Sequence, residues 1–228
     1  MIKRATILIT LVLLGVIFLQ MVVTYSPSTA LNQLSRHYVV SGPDELGAAN
    51  IVTAVVVTYR GLDTLGEVAV LFISAAGVGL LLQRKAVDEA EKRPRRPSSE
   101  LVGTAIHFLL PLIFVLGIYI FINGHLTPGG GFQGGAVLAS GIMLLLLADP
   151  DTRLNHHIVE WLESSAGFGY VVVGVLGLIL AGGFLDNRFI DLGTLGELFS
   201  AGAIPIIYVF VGLKVGTELS AVLERMKD

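Results

Sequence analysis

Six stretches of this sequence, 5–25, 68–83, 103–123, 132–148, 168–185 and 198–214, are almost free of charge, and each comes close to the length of a membrane span. A helix needs roughly 20 apolar residues to cross the hydrocarbon core. Backbone amides have no water to bond to in lipid, so runs of this kind are restricted to helices. Hydrophobic residues make up 54% of the chain and charged residues 14%, against about 25% charged in a soluble domain. Mean hydropathy is +0.78. The chain therefore reads as an all-α integral membrane protein of about six transmembrane helices, multi-pass in the cell membrane. A net charge of −3 points to neither a nucleic-acid footprint nor an acidic tail. With no cysteine, disulfides, thiolate zinc sites and cysteine-ligated iron-sulfur clusters are excluded from this chain.

The first run follows Lys3 and Arg4 and precedes "STA" at 28–30, a pattern shared with cleaved secretory signals. Its core exceeds the roughly 7–15 residues of a signal's apolar region, so it reads as a retained span. A seventh apolar stretch, 47–58, is too short to cross. It suits a re-entrant or interfacial half-helix, or a helix that continues through Asp63 into the next span, and the sequence leaves both open.

Loop charge sets the expected orientation. With the N-terminus inside, twelve Lys and Arg residues fall on the inner side and only Arg36, Arg60 and Arg188 on the outer. Both termini are thus expected to be cytoplasmic. The segment 84–100, "RKAVDEAEKRPRRPSSE", carries six basic and four acidic residues and no apolar stripe. It reads as a charged cytoplasmic linker between a two-helix unit, 1–83, and a four-helix unit, 101–228. Leu154, Ile158, Trp161 and Leu162 fit a short amphipathic helix on the inner surface.

Two copies of TLGE, at 64–67 and 194–197, match the capping-box pattern and are expected to start the second and sixth helices. In the first copy, Asp63 and Glu67 are four apart, on one face of a helix, with Arg60 close by. Ionisable residues near membrane depth are costly and mark ion or proton pathways by default, so Asp63 and Glu67 are the leading candidates for cation or proton handling. Asp186, Asp191 and Glu197 form a second acidic group. Asp186 reads as part of an exposed turn and Glu197 as a cap, which leaves Asp191 and Glu197 as weaker candidates. Lys214 and Glu218, also four apart, read as a pair that snorkels to the inner interface.

"GHLTPGGGFQGG" at 124–135 sits between the third and fourth spans. Gly124 suits a helix end, Pro128 prevents continuation, and Gly129, Gly130 and Gly131 permit unusual backbone angles. The stretch reads equally as a tight hairpin, with Gly131 and Gly135 allowing close helix approach, or as unwound backbone whose carbonyls coordinate cations beside a cavity. In the second case His125, titrating near neutrality, is a candidate proton carrier. His107, His156 and His157 show no metal-ligand spacing. The chain shows no enzyme active site and no cofactor or metal site of its own.

"NGHLTPGGGFQGGAVLASG" from Asn123 resembles the MnhB/MrpB-type subunit of the Mrp-type multisubunit cation/proton antiporters. "NIVTAVVVTYRGLDTLGEVAVLFISAAGV" from Asn50 resembles the C-terminal part of the large subunit of those antiporters, which is a separate small, MbhE-like subunit in archaeal membrane-bound hydrogenases. The likeness implies a non-redox membrane subunit of a sodium/proton antiporter module, with other antiporter subunits and a hydrogenase or sulfur-reductase arm as partners. It implies no cofactor in this chain, with Na+ as an ion that the module would exchange for protons. It assigns Asp63 and Glu67 to the acidic motif of the large-subunit tail, and Gly124, His125, Pro128 and Gly129 to Gly131 to the MnhB-type loop. Such a fused arrangement departs from separate subunits. The alternative is a purely structural subunit that holds its neighbours together.

Overall fold

The computed structural model describes residues 2–26, 30–88, 98–149 and 152–227. Among these residues every regular element is a helix and there is no strand. The chain divides into two compact units, Met1–Arg36 and His37–Asp228. The first carries helix α1, Ile2–Thr24, whose described side chains are all exposed. Apolar on every side and without a buried stripe, it has the composition of a span. Helix α2, Gln33–Val40, runs across the division.

In the second unit, helices α3 (Gly42–Leu46) and α4 (Ile51–Thr53) lead into a π-helical stretch, Ala54–Tyr59. Then follow α5 (Gly61–Asp88), α6 (Glu100–Ile122), α7 (Gly131–Ala148), α8 (His156–Leu180) and α9 (Ile204–Lys227). With α1, these last five make six helices long and apolar enough to cross a membrane.

Helix α9 is the hub, packing against α5, α6, α7 and α8. Glycine makes that closeness possible. A Cβ on Gly131 would stand 2.6 Å from Val211 Cβ, and one on Gly135 would stand 2.7 Å from the Gly212 carbonyl, so α7 meets the backbone of α9 itself. Small residues are the usual means of close helix approach in membranes. Ile204, Ile207, Val211 and Val215 of α9 are buried together with Val57, Val68, Tyr170 and Leu185. Large apolar side chains such as Phe108, Leu112 and Val115 face outward from α6, as a surface that meets lipid or another apolar helix does.

One point the sequence leaves open is decided, and several local expectations change. The stretch 47–58 forms a half-helix, residues 51–59, and a new helix begins at Gly61. The break falls at Arg60, where the backbone leaves the helical region and its amide bonds back to Val55 O. Gly61 is needed there because a Cβ would sit 2.7 Å from the Leu185 side chain. Neither TLGE copy caps a helix. Thr64 lies inside the first turn of α5 and donates to Val56 O at 2.7 Å, closing the kink instead. Thr194 and Glu197 lie in a turn that ends before α9, which starts only at Ile204. The separate amphipathic helix is absent: residues from His156 onward are the first turns of α8, capped by Asn155, whose side chain accepts from Ile158 N. Most of the charged linker, 89–97, lies outside the described residues.

Candidate functional site

The glycine loop is built onto the half-helix. Helix α6 ends at Ile122, and the loop turns on Asn123, whose carbonyl accepts from Leu126 N and Thr127 N. Asn50 reaches it from a distant part of the sequence. Its side-chain amide donates to Gly124 O and Thr127 O, both at 2.9 Å, and its backbone amide donates to His125 O at 2.9 Å. The same side chain's oxygen accepts from Val52 N and Thr53 N and so caps the half-helix. One asparagine thus satisfies both a helix start and three loop carbonyls, groups that would otherwise be costly to bury. The Thr53 hydroxyl donates to Gly124 O at 2.7 Å and accepts from the Tyr208 hydroxyl of α9 at 2.8 Å.

The loop glycines fill close contacts. A Cβ on Gly124 would stand 2.6 Å from the Tyr208 ring, and one on Gly129 would stand 2.8 Å from Ile120 O. Gly130 has φ +149, a backbone angle that side-chain-bearing residues rarely adopt. Pro128 is exposed at the tip. His125 is fully buried, with Nε2 3.4 Å from Glu197 O. Burial holds its pKa below the ordinary histidine value, and the nearby backbone carbonyls, that of Glu197 first, offset this in part. The imidazole is accordingly neutral near pH 7.

Asp63 and Glu67 are placed elsewhere. Asp63 forms an ion pair with Arg60 at 2.5 Å at the start of α5, with both side chains about half exposed. Glu67 is exposed one turn on, close enough to act electrostatically on the Tyr170 hydroxyl of α8. Among the described residues, no hydrogen bond or ion pair joins Asp63 or Glu67 to His125. Asp191 is exposed and accepts from Gly193 N. Glu197 meets His125 through its backbone carbonyl, and its carboxylate is exposed.

A cavity of about 220 Å³ is lined by Glu45, Leu46, Thr58, Tyr59, Gly183, Phe184, Asp186 and Arg188. Asp186 is buried here, which corrects the reading of an exposed turn. It pairs with Arg188 at 2.6 Å and its side chain also accepts from Arg188 N. The bonded guanidinium holds this carboxyl below the ordinary carboxylate range. Tyr59 donates to Glu45, which also lies 3.3 Å from His37 Nε2, and burial pushes the Tyr59 phenol up. Asn187, fully buried, donates to Leu46 O and Ala201 O and joins this wall to the turn before α9. Asn50, Thr53, Asn187 and Tyr208 carry no sequence signal of their own, because each acts through partners remote along the chain. Among the described residues there is no group of three or more His, Asp or Glu able to hold a metal ion.

Residues 101–221 match the family described as a domain related to the MnhB subunit of the Na+/H+ antiporter, and residues 2–98 match the MbhE family, described as one of the subunits of MBH. An uncharacterized protein of Methanocaldococcus jannaschii is 33% identical over 194 residues, covering 75% of this chain and 74% of that protein. Among solved structures, a chain of the membrane-bound sulfane sulfur reductase, an archaeal respiratory membrane complex, superposes with a TM-score of 0.83 at 41% identity. The match covers 99% of this chain and 98% of that one. A chain of the Mrp complex from Dietzia sp. DQ12-45-1b superposes with a TM-score of 0.78 at 25% identity over 98% of this chain, which spans 26% of that longer chain.

Proposed function

This multi-pass membrane chain belongs to the family of domains related to the MnhB subunit of Na+/H+ antiporters, joined to an MbhE-type segment, and we propose that it works as a non-redox subunit of an antiporter module within a membrane-bound respiratory complex. The observation that carries this reading is the end-to-end likeness to one chain of the sulfane sulfur reductase complex. Its partners on this reading are other antiporter subunits and a reductase arm. Both termini face the cytoplasm, in keeping with the excess of Lys and Arg in the loops on that side. Asp63 and Glu67 lie on the transport path for sodium ions or protons, exposed on α5 where a neighbouring subunit meets them. His125, neutral and buried, stands at the loop that closes the outer end, and Asp191 and Glu197 lie in the turn beside it.

A second reading draws support from the loop itself. The carbonyls of Gly124, His125 and Thr127 already accept hydrogen bonds from Asn50 and Thr53, as a scaffold requires. Sodium-dependent proton exchange in vesicles carrying the whole complex separates the two, comparing wild type with Glu67→Gln after assembly is verified. Loss of exchange in an assembled complex supports the path; unchanged exchange leaves the chain a scaffold.

A further inference from the structure

Lys214 stands well inside its helix. It lies ten residues into α9 and thirteen from the helix end, roughly 15 Å and 20 Å along the axis, farther than a lysine side chain extends. The expected snorkelling pair is in fact buried: side-chain exposure is 12% for Lys214 and 1% for Glu218, with Nζ 2.6 Å from Glu218 Oε1. A second carboxylate joins from the neighbouring helix. Glu163 of α8, 22% exposed, places Oε1 3.7 Å from the same Nζ. The Phe72 ring of α5 covers the ammonium, 5.0 Å from its centroid. Sequence pairing by four-residue spacing finds Glu218 but misses Glu163, which arrives through helix packing.

Charge decides what this arrangement can do. Two carboxylates and one ammonium sum to −1, so the group is one proton short of neutrality. Among the described residues, no second cation pairs with Glu163 or Glu218. Helix α7 carries no ionisable residue, and α5 presents the Phe72 ring. Along α8, Tyr170 follows two turns after Glu163. Along α9, Glu224 accepts from Leu154 N and lies 3.8 Å from His156 Nδ1, and the Arg225 guanidinium lies over Gly79 of α5. Among the described residues, neither Glu218 oxygen has a hydrogen-bond donor beyond the Lys214 ion pair. An uncompensated charge within a membrane helix bundle is costly and is kept where protons or ions are handled.

We propose that Glu163, Lys214 and Glu218 form a proton-binding site inside the helix bundle, in which Lys214 is exchanged between the two carboxylates. A proton from water adds to Glu218, forming an O–H bond and cancelling its charge. The ammonium, still protonated, then swings from the neutral acid to Glu163. Release of the proton restores the first arrangement. Only the use made of the proton rests on the antiporter reading; its uptake is a property of the three side chains.

Infrared difference spectroscopy of the purified whole complex, titrated with pH, tests this directly by following the C=O stretch of a protonated carboxylic acid. A band that grows as pH falls and is lost in Glu218→Gln is the expected result. Glu163→Gln keeps Glu218 intact and leaves Lys214 to it alone, so the band should appear at lower pH than in wild type. Absence of any titrating band sensitive to Glu218→Gln overturns the proposal. If that variant does not assemble, a band unmoved by Glu163→Gln overturns it equally. Exchange that survives Glu67→Gln while this band is present sinks the Asp63 and Glu67 path without touching the proton site.

Discussion

The Tyr208 hydroxyl donates to the Thr53 hydroxyl at 2.8 Å, across 155 positions of sequence. Thr53 lies in the segment that matches the MbhE family and Tyr208 in the segment that matches the MnhB-related family. The bond therefore links the two family segments, together with the Asn50 bonds to Gly124 and Thr127, inside one compact unit, His37–Asp228. Joining the two segments in one chain fixes an interface that separate subunits would have to form by association.

That interface should respond to substitution in a set order. Tyr208→Phe removes one neutral hydrogen bond and is expected to cost about 1 kcal/mol. Asn50→Ala removes a helix cap and two side-chain bonds to buried carbonyls, so the expected cost is higher, about 2–4 kcal/mol. Thermal unfolding in detergent measures both, and a smaller effect for Asn50→Ala would count against its role as the joint.

Glycine-to-alanine substitutions should separate packing from flexibility. Gly131→Ala and Gly135→Ala force a methyl group into the α9 backbone, and overpacking of this kind costs about 1–3 kcal/mol. Gly77→Ala on α5 meets open space and should be neutral or stabilising, since alanine favours helix by about 1 kcal/mol. Equal loss of stability at all three positions would contradict the packing account.

His125 predicts an acid limb in the stability profile. Its pKa is lowered in the folded state, so the unfolded chain binds the proton more readily. The stabilisation is complete above the ordinary histidine value of about 6.5 and declines as pH falls below it. Replacing His125 with Gln should flatten this limb, as followed by denaturation between neutral and mildly acidic pH.

Asp186 and Arg188 give a second, more acidic dependence. The folded carboxyl is held below its ordinary value, so the pair stabilises above the unfolded carboxylate pKa, and this contribution is lost as pH falls through the folded one. Arg188→Met leaves a buried carboxylate without its cation and should cost about 1–3 kcal/mol. Asp186→Asn in the same background should recover part of that loss.

The sequence by itself determined the fold class, the presence of six spans and the family. These follow from run length, charge content and two contiguous motifs, all local properties that lipid enforces on any chain. It also marked the glycine loop, because close backbone approach and a φ of +149 at Gly130 require glycine at those positions. Tertiary structure decided the partners. The TLGE copies look like caps because capping is a local pattern, yet the kink at Arg60 starts α5 three residues before the first copy and turns Thr64 to Val56 O, and the long turn before Ile204 leaves the second copy outside α9. Lys214 and Glu218 look like a surface pair because spacing says nothing of depth. Whether a charge at mid-helix meets water, lipid or a second carboxylate depends on which helices pack around it, and only the packing of α8 against α9 brings Glu163 to Lys214.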